Sequence, residues 1–205
     1  MKQNFYTLSV TSLNKQSKFI YTDEELIDRF QAGDELAYIE LVDRYKDKLL
    51  NFIFPYFGEI EQAEDIVQDT MIKLYEKKNY YKKIAKFSTW LYTIAKNLAN
   101  TELRKRNRKK ITHLSRMSSK ESVYEIPDVK KDTSKDVENE FINERINLAI
   151  AGLPEKFKTV IVLRDIQEIP YEEISSIVGV PLGTVKSRIN RARIQLQAEL
   201  QDLKS

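Results

Sequence analysis

Apolar residues recur along this chain at intervals of three and four, and the polar breaks between them predict a succession of helices. Thr22 and Glu25 stand at the spacing of a capping box, and Leu26, Ile27 and Phe30 follow as the buried side of a short first helix. Gly33 closes that helix and Asp34 is placed to cap the next. There Leu36, Ile39, Val42 and Leu49, with neighbouring aromatics, carry the apolar period to about residue 54, and Pro55 and Gly58 predict a break. A third helix over about 61–77 has Ala63, Ile66, Val67, Met71 and Leu74 as its core stripe. A fourth begins near Ser88 and runs through WLYTIAKNLANTELRKR, its apolar face centred on Leu91, Ile94 and Leu98.

From 111 to 137 the chain mixes serine, charge and a proline with no sustained period, the composition of a flexible linker. Helical patterning returns with Phe141, Ile142, Ile146, Ala149 and Leu153, and Pro154 opens a helix holding Phe157, Val160 and Ile161. Residues 171–193, YEEISSIVGVPLGTVKSRINRAR, then place a short apolar helix, a glycine turn and a basic helix in succession. Ile174, Ile177 and Val178 mark the inner side of the first, with Ser175 small where a second helix crosses. Gly179 ends it, Pro181 presets the backbone for the next, and Val185, Ile189, Ala192 and Leu196 form the second helix's inward stripe. This is a helix-turn-helix pattern. The predicted fold is all-α: a polar extension (1–21), a helical domain (22–110), the linker (111–137), and a second helical domain (138–205) ending in the helix-turn-helix.

Composition narrows the chemistry. A chain of 205 residues with 41% hydrophobic and 32% charged content suits two small domains, and its five glycines are too scattered to build a phosphate-cradling loop. With no cysteine and His113 as the single histidine, disulfides, thiol nucleophiles and the usual zinc ligand sets are excluded; no metal or cofactor is expected, and a metalloenzyme would need carboxylates alone. The first residues lack the continuous apolar stretch of a signal peptide, and no apolar run approaches the roughly 18 residues of a membrane span. A cytoplasmic protein without membrane insertion is expected. A net charge of +3 does not by itself point to nucleic acid, so the placement of the charges has to decide.

Three faces stand out. On the last helix Lys186, Ser187, Asn190 and Arg191 come together in phase near the amino end, the part that reaches base edges in helix-turn-helix readers, and Arg188 and Arg193 flank them at angles suited to phosphates. No acidic residue falls between Pro181 and Gln197, whereas a merely solvated helix mixes signs. Arg188 stands where many such readers carry an aliphatic residue, leaving Ile189 to supply that contact. On the fourth helix Asn97, Thr101, Arg104 and Arg108 fall within about 40° of Trp90 around the axis. Before that edge lies KKNYYKKIAK, residues 77–86, with five lysines around Asn79, Tyr80 and Tyr81; after it lies RKRNRKK, residues 104–110. Interleaved cations and rings suit a single strand, whose phosphates are neutralised while its bases stack. On the third helix Asp65, Gln68, Asp69 and Ile72 align opposite the core stripe, a face that repels DNA and suits a basic helical partner.

These pieces, in this order, resemble the extracytoplasmic-function class of bacterial RNA polymerase sigma factors. In the first domain the resemblance rests on DELAYIELVDRY, AEDIVQDTMIKLYE and FSTWLYTIAKNLANTELRKR, and in the second on LPEKFKTVIVLRDIQEIPYEEISSIVGVPLGTVKSRINRARIQL, covering roughly 22–110 and 138–198. It implies that Asp65, Gln68, Asp69 and Ile72 dock the clamp helices of the large polymerase subunit, with a further contact to the flap. It implies that Asn79, Tyr80, Tyr81, Trp90, Asn97, Thr101 and Arg104 open and hold the proximal (-10) promoter element as a single strand. Lys186, Ser187, Arg188, Asn190, Arg191 and Arg193 would read the upstream (-35) element as duplex, with Gly183 and Thr184 on phosphates. An anti-sigma factor is a further implied partner. Two other classes remain at this stage: a regulator that senses a ligand through its first domain, which would need a cavity or phosphoacceptor, and a nucleic-acid enzyme, which would need a carboxylate cluster or nucleophile.

Overall fold

The computed structural model describes residues 21–114 and 134–201, and both segments are helical. The first holds α1 (Asp23–Gln31), α2 (Glu35–Phe57), α3 (Ile60–Lys77) and α4 (Phe87–Leu114), with a 3-10 turn at Lys78–Tyr80. The second holds α5 (Ser134–Gly152), α6 (Glu155–Ile161), α7 (Tyr171–Val178) and α8 (Leu182–Glu199), with a π-helical turn at Val162–Ile166. No strand occurs among the described residues. Helices α4 and α5 reach into both ends of the stretch predicted as linker. The segment 115–133 lies outside the described residues, as does the extension 1–20.

The capping box forms as the sequence predicts: Thr22 Oγ1 accepts the Glu25 amide at 3.2 Å, and the Glu25 carboxylate accepts the Thr22 amide at 2.7 Å. Asp34 caps α2 by accepting the Leu36 and Ala37 amides, while its second carboxylate oxygen is held by Arg29 at 2.6 and 2.9 Å. Pro55, however, does not end α2. It sits in the last turns, where its missing N–H removes a single helical hydrogen bond, and the helix stops at Gly58, whose left-handed backbone (φ 72°) donates to Phe54 O.

The apolar period on α2 also differs from expectation. The buried stripe is Ala37, Leu41, Tyr45, Leu49, Phe52, Ile53 and Tyr56, while Leu36 and Ile39 project to solvent, 74% and 54% exposed. Period alone offers α2 two apolar stripes. The aromatic one is buried because it meets α4 edge-on: Tyr45 packs on Phe87 with ring centroids 5.5 Å apart and Phe52 on Tyr92 at 5.3 Å. On α4 the buried side is Phe87, Leu91, Tyr92, Ala95 and Ala99, with Ile94 and Leu98 only half-buried. The two alanines let α4 lie close to its neighbours, which shifts the centre of its inner face away from the bulkier residues. Its amino end is capped from another helix, the Phe87 amide donating to the Glu24 carboxylate of α1 at 3.0 Å.

In the second domain Phe157, Val160 and Ile161 pack with Ile174, Ile177, Val185, Ile189 and Ala192. Gly179 closes α7 at φ 69°, a left-handed conformation that glycine adopts without a Cβ clash. Ser175 secures the same turn, its hydroxyl donating to Val180 O at 2.6 Å.

The two domains pack against each other through hydroxyls that emerge from the aromatic core. Tyr56 donates to Thr159 Oγ1 at 2.7 Å in a buried contact, and Tyr92 donates to Gln167 Oε1 at 2.7 Å. Thr159 passes its own proton to Glu155 O at 2.8 Å, so its oxygen depends on Tyr56 as donor. Tyr56→Phe is expected to lower stability in urea denaturation by about 1–2 kcal/mol. Adding Thr159→Val in that background should recover part of the loss, because no acceptor is then left unpaired.

Candidate nucleic-acid interface

Helix α8 turns Lys186, Ser187, Asn190 and Arg191 to solvent on one side, while Val185, Ile189 and Ala192 are buried on the other. Ile189 does supply the inward contact that Arg188 cannot, and Arg188 lies half-buried beside it. Gly183 is exposed and Thr184 half-buried at the amino end, where Thr184 O accepts the Ser187 hydroxyl at 3.0 Å. Arg193 is committed elsewhere. Its guanidinium forms a bidentate pair with Asp165 at 2.6 and 3.0 Å, which holds its pKa above the ordinary value and ties α8 to the π-helical turn.

On α4 the side chains of Asn97, Thr101 and Arg104 are exposed along one edge, and the Thr101 hydroxyl donates to Asn97 O at 2.8 Å. Trp90 is half-buried, its ring 5.4 Å from Tyr81 and 6.2 Å from Phe87, so it forms a wall beside that edge. Tyr80 and Tyr81, expected as a pair of stacking rings, divide. Tyr80 is 71% exposed with the Lys77 ammonium 4.9 Å above its ring, whereas Tyr81 is 5% exposed and donates to Ala85 O at 2.9 Å. Tyr81 thus packs as the floor of the loop and supports Trp90 instead of offering a face to solvent.

The loop's lysines divide in the same way. Lys78 caps the carboxyl end of α1 by donating to Phe30 O at 3.0 Å and sits 4.1 Å over the Phe30 ring. Lys83 pairs with Asp28, and Lys86 pairs with Glu173 of the second domain at 2.7 Å. Asn79 and Lys82 are exposed. Gln31, the last residue of α1, fastens the loop by donating to Lys78 O at 2.7 Å and Tyr81 O at 3.2 Å. Nothing in the spacing around Gln31 marks it, since both acceptors are backbone carbonyls far along the chain.

The third face is where α3 was expected to place it. Asp65, Gln68, Asp69 and Ile72 are all exposed, Ile72 at 51%. The structure adds to it. Tyr38 of α2 donates to Met71 O at 3.2 Å and Tyr75 of α3 donates to the Glu35 carboxylate at 3.0 Å. These bonds stitch the start of α2 to the end of α3, bringing Leu36 and Ile39 into the neighbourhood of Ile72 and Tyr75. An acidic edge therefore borders an exposed apolar patch, of which the period alone assigns Leu36 and Ile39 to the core.

Two family descriptions fit this arrangement: Sigma-70 region 2 matches residues 41–109, and Sigma-70 region 4 matches residues 143–196. The chain belongs to the extracytoplasmic-function (ECF) sigma factors of RNA polymerase. It is 34% identical to the ECF RNA polymerase sigma factor SigW of Bacillus subtilis, over 86% of this chain and 96% of that one. It is 35% identical to the ECF RNA polymerase sigma-E factor of Haemophilus influenzae, over 89% and 97%. Among solved structures it resembles the sigma factor RpoE of Bartonella quintana in complex with the anti-sigma factor NepR, with a TM-score of 0.62, 26% identity, and 80% of this chain and 96% of that chain covered. The fold is also that of CnrH in complex with the cytosolic domain of CnrY, at a TM-score of 0.65 and 22% identity over 89% and 99% of the two chains. Among the described residues no helix is long and apolar enough to cross a membrane.

Gln31→Leu is expected to keep the helical content while raising the exchange rate of the Tyr81 amide, which donates to Lys78 O, roughly tenfold, about the loss of one hydrogen bond. Hydrogen exchange read by NMR, beside circular dichroism, checks both halves.

Proposed function

We propose that this chain binds core RNA polymerase through the α2–α3 face, reads an upstream promoter element as duplex with α8, and holds the proximal element as a melted strand along α4. The observation that carries the proposal is the separation of three surfaces of opposed character on one chain. The acidic and apolar face of Asp65, Gln68, Asp69, Ile72, Leu36 and Ile39 repels a phosphate backbone and fits a basic, apolar helical partner. The exposed Lys186, Ser187, Asn190 and Arg191 lie on a helix whose first turn carries no acidic residue, in the position from which a recognition helix reaches base edges.

On α4 the Asn97 amide, the Thr101 hydroxyl and the Arg104 guanidinium are exposed on the side of the helix that carries Trp90, and the loop before α4 offers the exposed ring of Tyr80. Removing a base from the duplex costs a few kcal/mol of lost stacking and pairing, which amide hydrogen bonds and ring contacts can offset. In this reading Lys77, Lys82 and Arg104 neutralise phosphates while Trp90, braced by Tyr81 and Phe87, terminates the stack. Tyr81 and Gln31 act by holding the loop. The solved RpoE structure contains an anti-sigma factor, and we extend that class of partner to this chain.

Asp65→Arg with Asp69→Arg is expected to abolish capture of core polymerase and to leave circular dichroism and isolated duplex binding unchanged, since both carboxylates are exposed. A pull-down that persists would reduce that face to solvated surface. Holoenzyme carrying Asn97→Ala is expected to bind promoter duplex normally but to form about tenfold fewer open complexes, in line with one lost buried hydrogen bond. Permanganate reactivity of unpaired thymines measures it, and a premelted bubble template should restore part of the activity.

A further inference from the structure

The seam between the domains is built from groups with a second use. Thr89, Tyr92 and Lys96 share one face of α4 at i, i+3 and i+7, and all three reach into the second domain. Helix α7 is gripped at both ends. In its first turn the Glu173 carboxylate accepts Lys86 Nζ at 2.7 Å on one oxygen and the Thr89 hydroxyl at 3.3 Å on the other. In its last turn Ile177 O accepts Lys96 Nζ at 2.5 Å. That carbonyl is one of the groups a helix end leaves without an internal partner, and a cation there also meets the negative end of the helix dipole. A lysine of the first domain thus caps the helix that opens the helix-turn-helix of the second. Between the two grips, Tyr92 reaches Gln167.

The strand-holding edge of Asn97, Thr101 and Arg104 lies only roughly 110° around α4 from this seam. Lys86 ends the lysine-rich loop, and Lys96 precedes Asn97 directly. Both cations therefore adjoin, along the chain, the elements proposed to hold a single strand, yet both bond to α7 instead. Lys96 is half-buried there, and desolvation pushes its pKa below the usual lysine range.

We infer that this seam is a clasp competing with nucleic acid for Lys86 and Lys96. Closed, it commits both cations to α7 and fixes the two reading surfaces to each other. Parted, it frees the cations for strand phosphates and frees α7, the helix that crosses the phosphate backbone in helix-turn-helix docking. Strand capture and domain opening are then linked, each favouring the other by the same factor. The inference rests on the strand-holding role proposed for α4, and the test separates the two.

The chain has no cysteine, so donor and acceptor dyes can be attached to the full-length protein at Asp47→Cys on α2 and Gln195→Cys on α8, both exposed positions outside the proposed faces. Lys86→Glu and Glu173→Lys should each lower energy transfer, and the charge-swapped pair should restore it. Unchanged transfer in the single variants, or a double variant as open as either single, overturns the clasp. A short single-stranded oligodeoxynucleotide should lower transfer in the unaltered chain and bind Glu173→Gln about threefold more tightly, the scale of one exposed ion pair. An oligonucleotide that binds without changing transfer overturns the competition. Failure of every form to bind the strand refutes the strand-holding role and the competition with it, while the charge swap still decides whether the clasp exists.

Discussion

Helix α4 is the element on which both domains depend, and the constraint that fixes it is the edge-on packing of four rings. Tyr45 and Phe52 of α2 meet Phe87 and Tyr92 of α4, at the end where Glu24 caps the helix from α1. Ring pairs in this geometry tolerate little rotation, so the inner face sets the phase of every other residue on α4. The same rotation that buries Tyr92 turns Asn97, Thr101 and Arg104 outward and carries Thr89 and Lys96 to α7. One packing decision thus places the edge proposed to hold a strand and a domain seam on adjacent sides of one helix. The tyrosines make the seam possible because they bury their rings while passing a hydroxyl through to Thr159 and Gln167.

The polar groups around this core show how a small domain can be charged without being uniformly sticky. Of the lysines in the loop before α4, Lys78 caps a helix, Lys83 pairs with Asp28 and Lys86 with Glu173. Each pairing fixes a segment in place and lowers the uncompensated positive charge of the loop. Meanwhile the acidic residues of α3 stand together on the far side of the core stripe, which keeps that acidic surface distinct from the basic ones. The net charge of +3 therefore conceals a strong segregation of sign.

Much of this was legible from the sequence because it depends on local rules. The capping box at Thr22, the cap at Asp34, the core stripe of α3 and the helix-turn-helix with its exposed Lys186, Ser187, Asn190 and Arg191 all follow from spacing and turn chemistry. What escaped depends on which of two stripes a neighbour selects. Leu36 and Ile39 fit the helical period as well as Ala37 and Leu41 do, and only the position of the partner rings decides that the former remain exposed. Tyr80 and Tyr81 are adjacent and alike in sequence, yet the loop's path buries one and exposes the other. Gln31 and Lys96 act on backbone carbonyls of distant segments, and a carbonyl has no signature in the sequence. Pro55 was misleading because α2 continues through it with its ring buried in the core, and the glycine behind it is the true stop.

The central claim is that this chain confers promoter specificity on RNA polymerase through surfaces arranged around α4. The most direct measurement combines the purified chain with core polymerase and a library of genomic DNA fragments, and maps the 5′ ends of the transcripts made. Starts should concentrate at discrete positions that share one upstream and one proximal motif at a fixed spacing, and they should disappear when the chain is omitted. A distribution of starts that matches core polymerase alone would contradict the account.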